Sequence, residues 1–258
     1  MILQQTSDLN YIPQRIISLV PSQTELLYHL GLNTETIGIT KFCIHPQAWF
    51  KTKSRIGGTK TLDTEKIRQL KPDLVIANKE ENVQEQVEAL ATDFPVWVTD
   101  VNNLDDALEM IADIGILTGK QAAAITLTAH IRKAFSEIPS NSKQVKTAYL
   151  IWRKPYMTVG GDTFIHNMLQ RCGFENIFAA KARYPETGIA ELQTADCQLL
   201  LLSSEPYPFK QLHIDELSSQ LPGTKIILVD GELFSWYGSR LLQSPAYFKQ
   251  LIARIQSG

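Results

Sequence analysis

Blocks of apolar and polar residues recur along this chain in the same order twice. Arg15 to Leu32 reads as a buried strand, a Pro-Ser turn and a helix ending at Gly31. Thr147 to Gly173 reads as a strand, a Pro and Gly-Gly turn, and a helix ending at Gly173. In each half another helix then runs into an apolar strand, over Asp63 to Ala77 and over Ile189 to Leu202. Each half closes with a strand that ends in aspartate, at Asp100 and at Asp230. Short apolar runs such as Ile16 to Val20 suit strands covered on both faces, and alternation of such strands with helices predicts parallel sheets.

Turn and cap residues divide the blocks. Pro21 stops the first strand, Ser22 or Gln23 begins the helix, and Glu25 sits in its first turn, where acidic charge favours the dipole. Further strands are expected at Thr36 to Thr40, Leu74 to Ala77 and Val96 to Thr99. In the second half they are expected at Ala148 to Trp152, Leu199 to Leu202 and Ile226 to Val229. Asp63 or Thr64 caps a helix with Ile67 and Leu70 on its apolar face, another runs through Val87 and Leu90, and a last one from about Pro245 to Ile255. Between the halves, Leu104, Leu108, Ile111, Ile114 and Leu117 recur at helical spacing, and the segment continues to about Ile138 before turn residues at Pro139 to Lys143. Gly115 and Gly119 inside it mark either close packing or a break, since each costs about 1 kcal/mol relative to alanine in a helix. The expected division is an α/β lobe over 1–103, a bridging helix over 104–140 and a second α/β lobe over 141–258.

Composition narrows the function classes. The chain is 44% hydrophobic and 20% charged, with net charge −2 and no basic block, which argues against a nucleic-acid partner. Three widely spaced cysteines show neither a disulfide framework nor a zinc spacing. Met1 to Pro13 lacks a basic region, an apolar core and a cleavage site, and no run of about 18 apolar residues spans a membrane. Taken as written the chain reads as cytoplasmic, and as periplasmic if a signal peptide precedes it.

In parallel sheets ligands sit beyond the carboxyl ends of the strands. The loops there supply the candidate ligand-binding residues. From the first half these are Ser22, Gln23, Phe42, Cys43, His45, Thr59, Lys60, Asn78, Glu80 and Glu81. From the second they are Trp152, Arg153, Tyr156, Arg183, Tyr184, Glu205, Tyr207, Trp236, Tyr237 and Arg240. Aromatic rings cover a large planar ligand, and arginine or lysine pairs with its carboxylates. Cys43 and His45, two apart, are either ligands of a soft metal or a packed thiol beside an imidazole stiffened by Pro46. Glu80-Glu81 reads as a solvated helix start rather than an acid–base pair. Ser22 lacks a nucleophile elbow, Gly57-Gly58-Thr59-Lys60 lacks the first glycine of a phosphate loop, and Gly160-Gly161 is too short for a dinucleotide fingerprint. No catalytic residue is identified.

Several of these segments resemble the helical-backbone metal receptor superfamily, the periplasmic ABC-transporter receptors for cobalamin, haem and ferric siderophores. The resemblance runs from Pro13 to Ile255. It rests on Arg15-Ile16-Ile17-Ser18-Leu19-Val20-Pro21-Ser22 with Thr24-Glu25-Leu26, on Leu70-Lys71-Pro72-Asp73-Leu74-Val75-Ile76, on Arg171-Cys172-Gly173-Phe174-Glu175-Asn176-Ile177 and on Trp236-Tyr237-Gly238-Ser239-Arg240. It implies two Rossmann-like lobes with parallel sheets, bridged by one long backbone helix, and a ligand in the cleft between them. It implies a monomer that binds a metal-chelate small molecule, with cobalamin, haem or a ferric siderophore as ligand and no required cofactor, and the cobalamin branch is nearest. Family members dock on an ABC permease through an acidic residue on each lobe. Glu65, eight before Asp73, matches the first, while the spot eight before Asp196 is Gly188, with Glu186 displaced from it. Thr59 stands where cobalamin binders often carry an aromatic residue. The leading expectation is therefore a non-enzymatic substrate-binding protein. The alternative is a cytosolic protein or enzyme that handles metals, corrinoids or tetrapyrroles with the same cleft, suggested by Cys43 and His45.

Overall fold

The computed structural model describes residues 1–139 and 144–256, so most of the turn expected at Pro139 to Lys143, and the border expected at 140/141, lie outside the described residues. The chain forms two compact units. The first comprises Met1–Val101, Asp105–Arg132 and Trp236–Leu241, and the second Asn102–Leu104, Lys133–Ser235 and Leu242–Gly258.

The first unit is built on a parallel sheet of β1 (Ile2–Leu3), β2 (Ile16–Ser18), β3 (Thr36–Ile39), β4 (Ser54–Arg55), β5 (Leu74–Asn78) and β6 (Val96–Thr99), in the order β1-β6-β5-β2-β3-β4. All five residues of β5 are buried, as a central parallel strand with both faces covered requires. The covering helices are α1 (Pro21–His29), α2 (Gln47–Thr52), α3 (Thr64–Leu70) and α4 (Gln84–Ala91). Pro21 is not merely a strand stop: it is the first residue of α1, where its missing N–H is one of the helix's unpaired donors anyway. Asp63 caps α3 as expected, its carboxylate accepting from Lys66 N at 3.0 Å.

The segment read as one long helix is two, α5 (Leu104–Leu117) and α6 (Gln121–Ser136). Gly119, at φ +69°, makes the break. Gly115 does something else: a Cβ there would lie 2.4 Å from the Cβ of Ala124, so this glycine lets α5 and α6 approach closely. Each of the two roles weighed for these glycines is filled by one of them.

The second unit contains β7 (Val145–Leu150), β8 (Tyr156–Met157), β9 (Phe174–Asn176), β10 (Glu186–Thr187), β11 (Leu199–Ser203) and β12 (Lys225–Val229). Its main sheet is parallel in the order β12-β11-β7-β9, and β8 and β10 form a separate antiparallel pair. The order β6-β5-β2-β3 in the first unit is the same arrangement, so the repeat heard in the sequence is a repeat of topology. Its helices are α7 (Phe164–Arg171), α8 (Ile189–Thr194), α9 (Gln211–Gln220), α10 (Glu232–Ser235) and α11 (Ser244–Gln256). Ala148, Leu150, Leu200 and Leu202 from the strands pack with Leu192 and Leu217 from α8 and α9. Burying each leucine contributes roughly 1.5–3 kcal/mol. Gly31 (φ +82°) ends α1 and Gly173 (φ +73°) follows α7, the same left-handed stop in both units.

Candidate functional site

In the first unit the candidate residues gather where β2, β5 and β6 end, above a floor of buried amides and hydroxyls. Gln23 Nε2 donates to Thr99 Oγ1 at 2.5 Å, and Asn78 Nδ2 donates to the same oxygen at 3.1 Å. Thr99 Oγ1 in turn donates to Ala77 O at 3.1 Å. Asn78 Oδ1 accepts from Glu80 N and Glu81 N at 2.9 and 3.1 Å, which folds the loop after β5 back on itself. Asn82 Oδ1 receives Asn78 N at 2.9 Å, and its Nδ2 holds Thr59 O at 3.1 Å. Lys60 is tied by its ammonium to Glu80 O. Gln23, Asn78 and Thr59 are buried, and their hydrogen bonds hold these loops in place. Ser22 is buried as well, while Glu80 and Glu81 are half-buried. Phe42 is 50% exposed, with Lys41 Nζ 5.1 Å from its ring centre.

Cys43 corrects the proposed metal pair. Its side chain is fully buried, and Sγ lies 3.1 Å from both Thr24 Oγ1 and Thr40 Oγ1. Burial pushes the thiol up, and the hydroxyl contacts offset only part of that. A thiol held protonated inside a core is not offered to a metal at the surface. His45 instead stands edge-on to Trp236, ring centres 5.5 Å apart. Among the described residues no group of three or more His, Cys, Asp or Glu is placed to hold a metal ion.

Trp236–Leu241 belongs to this first unit, although its sequence position suggests the second. Arg240 fastens it. Nε and Nη2 donate to the two carboxylate oxygens of Glu25 at 2.9 and 2.7 Å, in a pair whose side chains are 10% and 18% exposed. The guanidinium lies 4.8 Å over the Trp236 ring. Gly238 passes so close to α1 that a Cβ would come 2.9 Å from Ser22 O. Arg240 is thus held by Glu25, which lies beyond the first turn of α1 rather than in it, so its carboxylate serves this pair and not the helix dipole. Tyr237 is buried.

The second unit carries an aromatic and cationic cluster at the carboxyl ends of β7 and β11. Trp152 is 41% exposed and meets Tyr207 edge-on at 5.8 Å. Tyr207 also meets Phe209 at 4.8 Å and His213 at 5.5 Å. Arg153 Nη2 donates to both Glu216 oxygens, at 2.8 and 2.6 Å. That pair raises the Arg153 pKa and holds the Glu216 carboxyl below the usual range. His213 Nδ1 accepts Lys210 N at 2.8 Å, and burial, with the Arg153 charge behind it, holds the imidazole below its ordinary value. His213 and Glu216 were missed because α9 shows little periodicity, and Phe209 because it lies in the loop before that helix.

Arg183, exposed, has φ +57°, and its N donates to Asp162 Oδ1 at 2.6 Å. Tyr184 is half-buried. Glu205 Oε1 accepts Ser235 Oγ at 2.8 Å. Gly160 and Gly161 serve packing: a Cβ at either would come 2.3 or 2.2 Å from the carbonyl oxygens of Lys181 and Ala179.

Glu65 is exposed at the second residue of α3. Counting back from the strand that follows each helix, β5 or β11, the matching position in the second unit is Ala190 rather than Gly188, because Gly188 is the N-cap of α8. Next to it, Glu191 is bound by Lys181 at 2.5 Å and Thr187 at 2.9 Å.

Residues 16–222 match the family model described as periplasmic binding protein. A vitamin B12-binding protein of Vibrio campbellii is 29% identical over 209 residues, which cover 79% of this chain and 75% of that one. Among solved structures, the periplasmic vitamin B12 binding protein BtuF of Vibrio cholerae has a TM-score of 0.82 at 21% identity, over 95% of this chain and 99% of its own. The periplasmic heme binding protein HutB of the same organism has a TM-score of 0.80 at 18% identity, over 93% and 98%. At these identities the solved structures share the fold of this chain.

Proposed function

We propose, from the premise that this chain belongs to the periplasmic binding protein family, that it is the substrate-binding protein of an ABC transporter and holds a cobalamin-like or other metal chelate. The ligand class rests on one observation above the rest, the exposed Trp152 standing edge-on to Tyr207 at the end of β7 and β11. A large indole left open to solvent beside a second ring and an anchored arginine suits a broad planar ligand with polar edges. The named relatives, vitamin B12-binding proteins, point the same way. In the first unit Phe42 is an exposed ring, and Trp236 packs between His45 and Arg240.

The family's periplasmic setting supports a periplasmic location with an ABC permease as partner, and exposed Glu65 on α3 is the residue we assign to docking in the first unit. No described helix is long and apolar enough to cross a membrane. The cytoplasmic reading draws no support from the family. The buried Cys43 removes one of the two grounds for the corrinoid-handling alternative.

The deciding experiment incubates the protein with cyanocobalamin, haemin and a ferric siderophore, removes free ligand by gel filtration and reads absorbance. Retention of a stoichiometric chromophore is expected for one of them. Retention of none overturns the proposal.

A further inference from the structure

The hydrogen-bond chain behind Tyr207 assigns that hydroxyl a direction. His213 Nδ1 receives the backbone N–H of Lys210 at 2.8 Å, where α9 begins. A nitrogen that accepts a backbone N–H carries no proton of its own, so the ring is the neutral Nε2–H form. Its Nε2 lies 3.3 Å from Tyr207 Oη and is therefore the donor of that contact. Tyr207 Oη thus accepts from His213, and its own O–H is left to donate outward from a half-buried ring beside exposed Trp152.

We propose that Tyr207 is a specificity-determining donor. It recognises a carbonyl oxygen, amide or carboxylate, on the edge of a flat ligand covering Trp152, and His213 is the residue that positions it. The inference rests on the function proposed above and adds to it the chemistry of one ligand edge. The charged and titratable groups around the imidazole are Arg153, Glu216 and Lys210, with Tyr207 on its Nε2 side and Lys154 acting on Glu216. Protonation of His213 puts a proton on Nδ1 facing the Lys210 N–H, which breaks the chain at its root.

Two measurements test this. The first reads the His213 tautomer in the ligand-free protein by long-range nitrogen–proton NMR at pH 7.5. The Nε2–H form is expected, and an Nδ1–H or doubly protonated ring overturns the proposal even if no variant folds. The second compares affinities of wild type, Tyr207→Phe and His213→Asn for cyanocobalamin, which offers amide carbonyls, and haemin, which offers carboxylates. Losing one hydrogen bond is expected to weaken the retained ligand about three- to tenfold in Tyr207→Phe. Wild-type affinity is expected to fall between pH 7.5 and 5.5, and that fall to disappear in His213→Asn. Equal affinity of wild type and Tyr207→Phe, with binding intact, overturns this inference and leaves the function standing. If wild type retains neither probe nor a siderophore, the function fails and the ligand part of this inference fails with it.

Discussion

Cys43, Cys172 and Cys197 are buried free thiols, and burial raises all three, Cys197 to about 11. None is therefore a ready nucleophile. Ellman's reagent is expected to titrate no thiol in the native protein and three after denaturation. The widely spaced cysteines already argued for buried thiols, but only packing could show that Thr24 and Thr40 enclose Cys43. Two histidines contribute a loss of stability on mild acidification. His213 and His166 are both held below the ordinary imidazole value, chiefly by burial. The unfolded chain then binds protons that the folded chain refuses. Stability is complete above the unfolded value of about 6.5 and falls as pH drops through it toward the folded values. Urea midpoints at pH 7.5 and 5.5 should show this loss, and His213→Asn should reduce it. Glu216, lowered by Arg153, adds a further loss only in the carboxylate range.

At the scale of elements, two contacts decide what propensity alone cannot. Helix propensity predicts that Gly115→Ala gains about 1 kcal/mol. Packing predicts the opposite, because the new methyl would sit 2.4 Å from Ala124 Cβ, and overpacking costs about 1–3 kcal/mol. A lower thermal midpoint for Gly115→Ala is expected, and a higher one would show that the two helices separate freely. The Trp236–Leu241 segment depends in the same way on a pair far apart in sequence. Removing one partner of the Glu25–Arg240 pair strands a nearly buried charge, a loss of roughly 3 kcal/mol. Glu25→Gln is expected to lower the unfolding midpoint accordingly and to change Trp236 fluorescence. Most strands and helix caps of both units were legible as apolar runs bounded by Pro, Gly or Asp. The short elements α2, β4, β9 and the β8–β10 pair were not, because two to six residues carry too little periodicity to stand out from a loop.

For the whole molecule, the matching orders β6-β5-β2-β3 and β12-β11-β7-β9 put loop-borne rings and charges at the carboxyl ends of strands in each unit. Trp152→Ala is expected to weaken the retained chelate about tenfold, measured by fluorescence or absorbance titration, without changing the unfolding midpoint by more than about 0.5 kcal/mol equivalent, since the ring is open to solvent. Sequence by itself determined the repeat, the parallel α/β class and the strand ends where a ligand site belongs, because these follow from local periodicity and turn chemistry. It also supplied the list of polar and aromatic groups available there. Tertiary structure alone decided which of them face outward. It buried Gln23, Asn78 and Cys43, bound Arg240 to Glu25 and Arg153 to Glu216, and set His213 behind Tyr207. Apart from His213 and Tyr207, six positions apart, those outcomes depend on contacts between residues tens to hundreds of positions apart, which no local window of sequence spans.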